Sequence, residues 1–227
     1  MSILLSNLVV RPPTLEDCSA IAELVEACDS AEHGIAESSM RDLASRWRKY
    51  SFHLESDAWV IVTGRKQLIG FACVWHRDYE EFSTFICVHP QERRRGIDTL
   101  LLRLAEQHAH ELIHDARPDA RVSLRGEASA TNAQARSLFE REGYRLIREF
   151  WRVALALVDS DGDGASPPRK FAVDVEVEAG RLSGAAQLFD REGLFSVRQF
   201  VTYEKELRPA AEECDCPSDS AETLSRV

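Results

Sequence analysis

The sequence predicts an α/β fold of the α+β kind, in which helices flank a sheet that is largely antiparallel. Three observations carry that expectation. Residues 58–62 and 68–75 are apolar, β-rich runs separated by Gly64-Arg65-Lys66, which is hairpin chemistry. Phe82 to Val88 is another run of strand length, stopped by Pro90, and from Ile97 the apolar residues fall at 97, 100, 101, 104 and 105, the period of a helix with one buried face. Finally, an offset of 50 residues lays Leu138-Phe139-Glu140-Arg141-Glu142-Gly143 on Leu188-Phe189-Asp190-Arg191-Glu192-Gly193, and Arg148 and Phe150 on Arg198 and Phe200, so a strand–helix–strand unit recurs.

In chain order, Leu8 to Arg11 reads as a short strand. Thr14 followed by Asp17 has the form of a capping box ahead of a helix with apolar residues at 21, 24, 25 and 28. The polar segment Asp29 to Ser39 reads as a loop, and Met40 to Lys49 as a second helix. After the hairpin, a polar turn from His76 to Glu81 leads into the strand Phe82–Val88, so three successive strands form an antiparallel meander. Arg121 to Arg125 alternates as a half-buried strand. Thr131 or Asn132 caps the next helix, Ala135, Leu138 and Phe139 face inward, and Gly143 ends it. Tyr144 to Leu157 is a long strand. The expected organisation is a domain over 1–157, a linker over 158–170 (VDSDGDGASPPRK), the partial repeat over 171–207, and a disordered acidic tail over 208–227.

The net charge of −10 on 227 residues argues against nucleic acid as a partner, because neutralising phosphate needs a basic surface. Five of the acidic residues lie in the last twenty. The apolar start is short and lacks a basic flank, and no stretch approaches the roughly 20 apolar residues of a membrane span. The six cysteines sit mostly in apolar patterns, as small core residues do, so a cytoplasmic location is expected.

Between the strand ending near His89 and the helix opening near Gly96 lie Arg93, Arg94 and Arg95. Free backbone N–H groups and three cations meet at a helix N-terminus, which is an anion site. At these residues the chain resembles the GNAT superfamily of acyl-CoA-dependent N-acyltransferases. Members carry a strand, V-x-P, then Q/R-x-x-G-x-G/A opening a helix. Here Val88-His89-Pro90 precedes Arg93-x-x-Gly96-x-Asp98, and Asn132 to Tyr144 resembles the second motif, N-x-x-A-x-x-L-Y/F-x-x-x-G-F/Y. The resemblance covers roughly residues 7–157 and implies a GNAT-like mixed, mainly antiparallel sheet with the partial repeat appended. That repeat could extend the sheet, cover an edge, or pair with a second copy in a homodimer.

The resemblance further implies that acetyl-CoA is the cosubstrate, its pyrophosphate cradled by Arg93, Arg94, Arg95, Gly96, Asp98 and Thr99. Many members have glycine where Arg94 stands. Asp98 replaces the usual Gly or Ala; its charge suits the helix dipole and repels a diphosphate, which the arginines could offset. Backbone N–H of Cys87 or Val88 would polarise the thioester. Asn132 would bond the pantetheine arm, and Phe139 would pack beside it where relatives carry a tyrosine acid. Glu81, then Glu80, with His76 behind them, are the candidates for the base that strips the acceptor amine. The acceptor is expected to be a small-molecule amine or a peptide N-terminal amine, and the acidic Asp78, Glu80 and Glu81 favour a cationic one. Phe139 and Asp98 also admit a catalytically degenerate binding or regulatory module of this fold.

Three other patterns are weighed against these. His110-Glu111-Leu112-Ile113-His114 has the HExxH spacing of a zinc hydrolase, at a helix end closed by Pro118 and with no later histidine for a third ligand. Asp159-x-Asp161-x-Asp163-Gly164 opens like an EF-hand loop, but Lys170 stands where the bidentate glutamate belongs. Cys214 and Cys216 in the tail lack two further ligands. The first pattern, with Glu140 or Glu142 as a conceivable third ligand, keeps a zinc hydrolase as a further alternative, while the other two give no metal site.

Overall fold

A computed structural model of the chain describes residues 3–5, 7–34, 48, 52–157, 169–175 and 195–211. Among these residues nine strands form one sheet: β1 (Ile3–Leu5), β2 (Leu8–Arg11), β3 (Ala58–Thr63), β4 (Leu68–Arg77), β5 (Glu81–Val88), β6 (Val122–Ser129), β7 (Arg145–Leu157), β8 (Arg169–Val175) and β9 (Phe195–Arg208). Their order is β1-β2-β3-β4-β5-β6-β9-β7-β8, antiparallel throughout except between β5 and β6. Among the described residues three α-helices flank it: α1 (Cys18–His33), α2 (Ile97–Leu112) and α3 (Ala133–Arg141). No helix among the described residues is long and apolar enough to cross a membrane.

Leu68 to Trp75 of β4 are all buried because helices cover both faces. Phe71, Cys73 and Trp75 pack with Ile21, Leu24, Val25 and Cys28 of α1. On the other face Ala72 meets Ile97 and Leu101 of α2, and Val74 meets Leu102 and Ala105. Each such large apolar side chain contributes about 1.5–3 kcal/mol when fully buried.

Arg11 grips Asp17 through two 2.7 Å hydrogen bonds, and the same carboxylate accepts the Thr14 N–H at 2.7 Å, the reach-back half of the expected capping box. These bonds, that from Arg11 foremost, hold the Asp17 carboxyl down at about 2. The helix so started ends at Gly34, whose φ of +80° and N–H bond to the Ser30 carbonyl form a left-handed cap. Asp29 to His33, expected as loop, are therefore the last turn of α1. The helix expected over Met40 to Lys49 falls, apart from Arg48, outside the described residues.

The division of the chain after residue 157 is corrected by the sheet. β9 lies between β6 and β7, so residues 195–208 complete the same sheet and are not an appendage. The two strands whose likeness suggested a repeat are neighbours, with Phe150 opposite Phe200 and their rings stacked at 5.7 Å. The helix expected between them, with Phe189, lies outside the described residues, as do the EF-hand-like segment and the two tail cysteines.

β5 and β6 pair only from Glu81 opposite Ser123 to Thr84 opposite Gly126, although β5 continues to Val88 and β6 to Ser129. Beyond that point the strands part. Gly126 marks the fork, since a Cβ there would lie 2.3 Å from Cζ of Phe139. Gly126→Ala should therefore destabilise the protein by about 1–3 kcal/mol through overpacking, read as a lower urea midpoint at unchanged slope.

A second expectation concerns acid. Asp17 is more acidic folded than unfolded, so its contribution is present above the ordinary carboxylate pKa of about 4 and is lost as pH falls towards 2. Asp17→Asn should cost on the order of 1 kcal/mol near neutral pH and flatten the pH dependence of the unfolding midpoint in that window.

Candidate active site

Two strands that separate leave backbone groups facing one another across a gap. His89 donates its N–H to the Ile69 carbonyl at 2.9 Å, and Gly70 stands opposite Val88. Antiparallel alternation then commits the odd residues of β5, Cys87 included, to β4, and turns the N–H groups of Ile86 and Val88 towards the gap. Of the two backbone donors expected from sequence, Val88 is the one so directed. Its carbonyl accepts the thiol of Cys28 at 3.1 Å. Burial pushes the Cys87 thiol well up, which keeps it uncharged.

At the mouth of the gap, the first turn of α2 leaves the N–H groups of Ile97, Asp98 and Thr99 without helical partners. Gly96 and Arg94 precede it with φ of +74° and +66°. The second is a left-handed conformation that glycine adopts more readily than arginine. A cleft of about 300 Å³ opens there, lined by Arg94, Gly96, Asp98, Thr99, Gln134, Ser137 and Arg141. Asp98 lies in this cleft with one carboxylate oxygen accepting the Thr99 N–H at 2.9 Å and the other accepting Gln134 at 3.3 Å.

Only one of the three arginines in the turn lines the cleft. Arg93 turns to Glu32 of α1 at 2.8 Å, and Arg95 pairs with Glu92. The second cation is Arg141 of α3, which donates to the Thr99 hydroxyl at 3.2 Å. It sits inside the second motif, at a position the motif leaves unspecified. Asn132 caps α3 by accepting the Ala135 N–H at 3.0 Å and donates to Glu32 at 2.6 Å. Glu32 thus joins the turn after β5 to the turn after β6.

The last turn of α1 supplies two more groups. His33 Nδ1 lies 3.0 Å from Asp29 and its Nε2 3.2 Å from the Ser129 hydroxyl at the end of β6. Arg198 of β9 holds Asp29 at 2.7 Å. None of these was read from the sequence as a site residue. The signal was Gly34, a helix-stop residue placed where the apolar period of α1 would end.

The expected bases lie elsewhere. Glu80 is in the turn before β5, in solvent, where two hydrogen bonds from Arg117 lower its pKa. Glu81 opens β5, still opposite Ser123 in the paired stretch, half exposed and 3.6 Å from Arg125. His76 stacks on Tyr79 at 4.1 Å, and burial lowers its pKa. Phe139 packs on Tyr203 of β9 at 5.3 Å with its Cζ at Gly126, so the ring serves the core and leaves no room there for a hydroxyl. The hydroxyl on that side belongs to Tyr203, which donates to Glu140 at 2.8 Å.

The HExxH pattern is not built as one helical face. α2 ends at Leu112, His114 sits in the following 3-10 turn beside Asp115, and Glu111 accepts from Gln107 at 2.9 Å. Among the described residues no three His, Cys, Asp or Glu side chains are grouped to hold a metal.

Residues 55–146 match the family model described as Acetyltransferase (GNAT) domain. A GCN5-related N-acetyltransferase from Sphaerobacter thermophilus superposes with a TM-score of 0.73 at 18% identity, covering 93% of this chain and 99% of that one. A phosphinothricin acetyltransferase from Sinorhizobium meliloti, solved in complex with acetyl-CoA, gives 0.54 at 15%, covering 97% and 100%. The ribosomal-protein-S18-alanine N-acetyltransferase of Escherichia coli gives 0.52 at 14%, covering 91% and 97%. No protein of curated function matches. The family match spans β3 to the start of β7, and so takes in the strands that fork above a helix N-terminus, while the superpositions extend the likeness of fold over most of the chain.

Proposed function

We propose that the protein is an N-acetyltransferase that moves an acetyl group from acetyl-CoA to a small amine or an N-terminal amine. The fork between β5 and β6 supports this reading most directly, because it presents the Ile86 and Val88 N–H groups to a gap that leads to the cationic cleft at α2. The diphosphate would be held by Arg94, Arg141, Thr99 and the amides of the first turn. The pantetheine arm would follow the free edge of β5, and the Val88 N–H would polarise the thioester carbonyl. Attack by the amine forms the C–N bond and releases a thiolate, which needs little help from an acid since a thiol has a pKa of about 8.5.

Two features favour a second reading, a binding module that has kept the fold without the chemistry. Asp98 takes a first-turn amide for itself, and Glu32 ties the two lips of the gap together.

Titration calorimetry with acetyl-CoA tests the first reading. Binding in the micromolar range, followed by CoA release when amines are added, is expected; no heat at high micromolar cofactor in low salt would end it. Binding with no turnover on any amine would leave the second. Asp98→Gly should tighten acetyl-CoA binding by about three- to tenfold by removing a negative charge near the diphosphate. Arg141→Ala should weaken it by a similar factor and lessen its salt dependence. Unchanged affinity in both variants would place the diphosphate elsewhere.

A further inference from the structure

The arrangement at the end of α1 has a chemistry of its own. A carboxylate 3.0 Å from Nδ1 of His33 takes that N–H, which leaves Nε2 of the neutral ring to accept from the Ser129 hydroxyl 3.2 Å away. Asp29 and His33 are nearly buried, with side chains 7% and 12% exposed, and Arg198 fixes Asp29 from β9. Thr131 lies 2.9 Å from the Ser129 hydroxyl and steadies it from the far side. Ser129 stands three residues beyond Gly126 on β6, as Cys87 stands three beyond Thr84 on β5, both on the stretches that no longer pair. A charged group, an imidazole and a hydroxyl are thus lined up at the end of β6, on the part of that strand that has left β5.

We propose that Asp29, His33 and Ser129 form a proton relay that deprotonates the acceptor ammonium, an inference that rests on the acetyltransferase reading. An N–H bond of the ammonium breaks as its proton passes to Ser129 Oγ, while the proton of Ser129 passes to His33 Nε2. Asp29 remains ionised and stabilises the imidazolium. The freed lone pair forms the C–N bond to the acetyl carbon. As the C–S bond breaks, its electron pair leaves on sulfur, and the surplus amine proton neutralises it as CoA–SH. His33 then returns its proton to solvent. Ser129 touches the substrate; His33 and Asp29 act through it. Among the described residues, the charged groups around His33 include Asp29 and Glu32 of its own helix, Arg198 of β9, and Arg93 paired to Glu32.

The relay is needed only for an acceptor that arrives protonated. The experiment compares phenethylamine, spermidine and an alanine-leading peptide, all ammonium ions near neutral pH, with hydroxylamine, which is already neutral. In His33→Gln and Ser129→Ala, kcat with the best ammonium acceptor should fall on the order of 100-fold or more, while hydroxylamine loses less than about tenfold. With an ammonium acceptor the acid limb of the pH profile of kcat/KM should move up towards that amine's own pKa, because only its neutral fraction then reacts, and the Kd for acetyl-CoA should stay within about threefold. Equal losses for both acceptor types, an unchanged acid limb, or undiminished kcat in Ser129→Ala would overturn the relay. A wild type that binds no acetyl-CoA would overturn the transferase reading and the relay with it, whereas a wild type that turns over no faster than its variants would overturn the relay alone.

Discussion

The loss of pairing between β5 and β6 is the constraint around which the structure is arranged. Parallel neighbours cannot be joined by a tight turn, so the chain must cross back through a helix, and here that helix is α2. The N-terminus of α2 therefore lies at the end where β5 finishes, which is also the end where β6 finishes and α3 begins. One fork in the sheet thus brings free strand amides and two helix N-termini to the same mouth. The side chains that surround it, from Arg94 and Arg141 to Glu32 and Asn132, act on a geometry already fixed by the backbone.

β9 links the two faces of this fork. Its Tyr203 supports Phe139 beneath Gly126, while Arg198 and Phe200 on the opposite side reach Asp29 and His33. The strand is anchored to β6 by Glu204, a buried carboxylate that accepts from Arg121 and Arg125. Burial alone would raise its pKa, yet those two arginines outweigh it and the net direction is down. A charged pair in a sheet interior is stable only when its hydrogen bonds are satisfied, and two guanidinium groups on one carboxylate meet that condition. The register of β9 is set by this polar match as well as by apolar packing.

Much of this was legible from residues alone. Pro90 and the period from Ile97 located β5, the anion turn and α2, because a strand stop and an amphipathic helix are both local signals. Gly126 and Phe139 looked like ordinary strand and core residues, and their meeting at the fork depends on α3 folding back over β6. Arg93 and Arg95 show the limit most plainly. Sequence places three cations in one turn, but which of them faces a ligand is decided by Glu32 and Glu92, and Glu32 is remote in the chain. The groups on α1 and β9 that gather around His33 are hidden in the sequence for the same reason: the last turn of α1 is polar enough to resemble a loop, and the likeness of β9 to β7 hides its place between β6 and β7.

The position of β9 also governs how the domain can be made. A ribosome delivers β6 and β7 long before Phe195 to Arg208 emerge, so each of those strands must wait with an unmatched border on the side that β9 will fill. During that interval the half-built sheet can accept a strand from a neighbouring nascent chain as readily as its own. Biosynthesis of this fold therefore closes late, by a zip-in step between β6 and β7, and chaperone demand should be greatest in the seconds before β9 arrives.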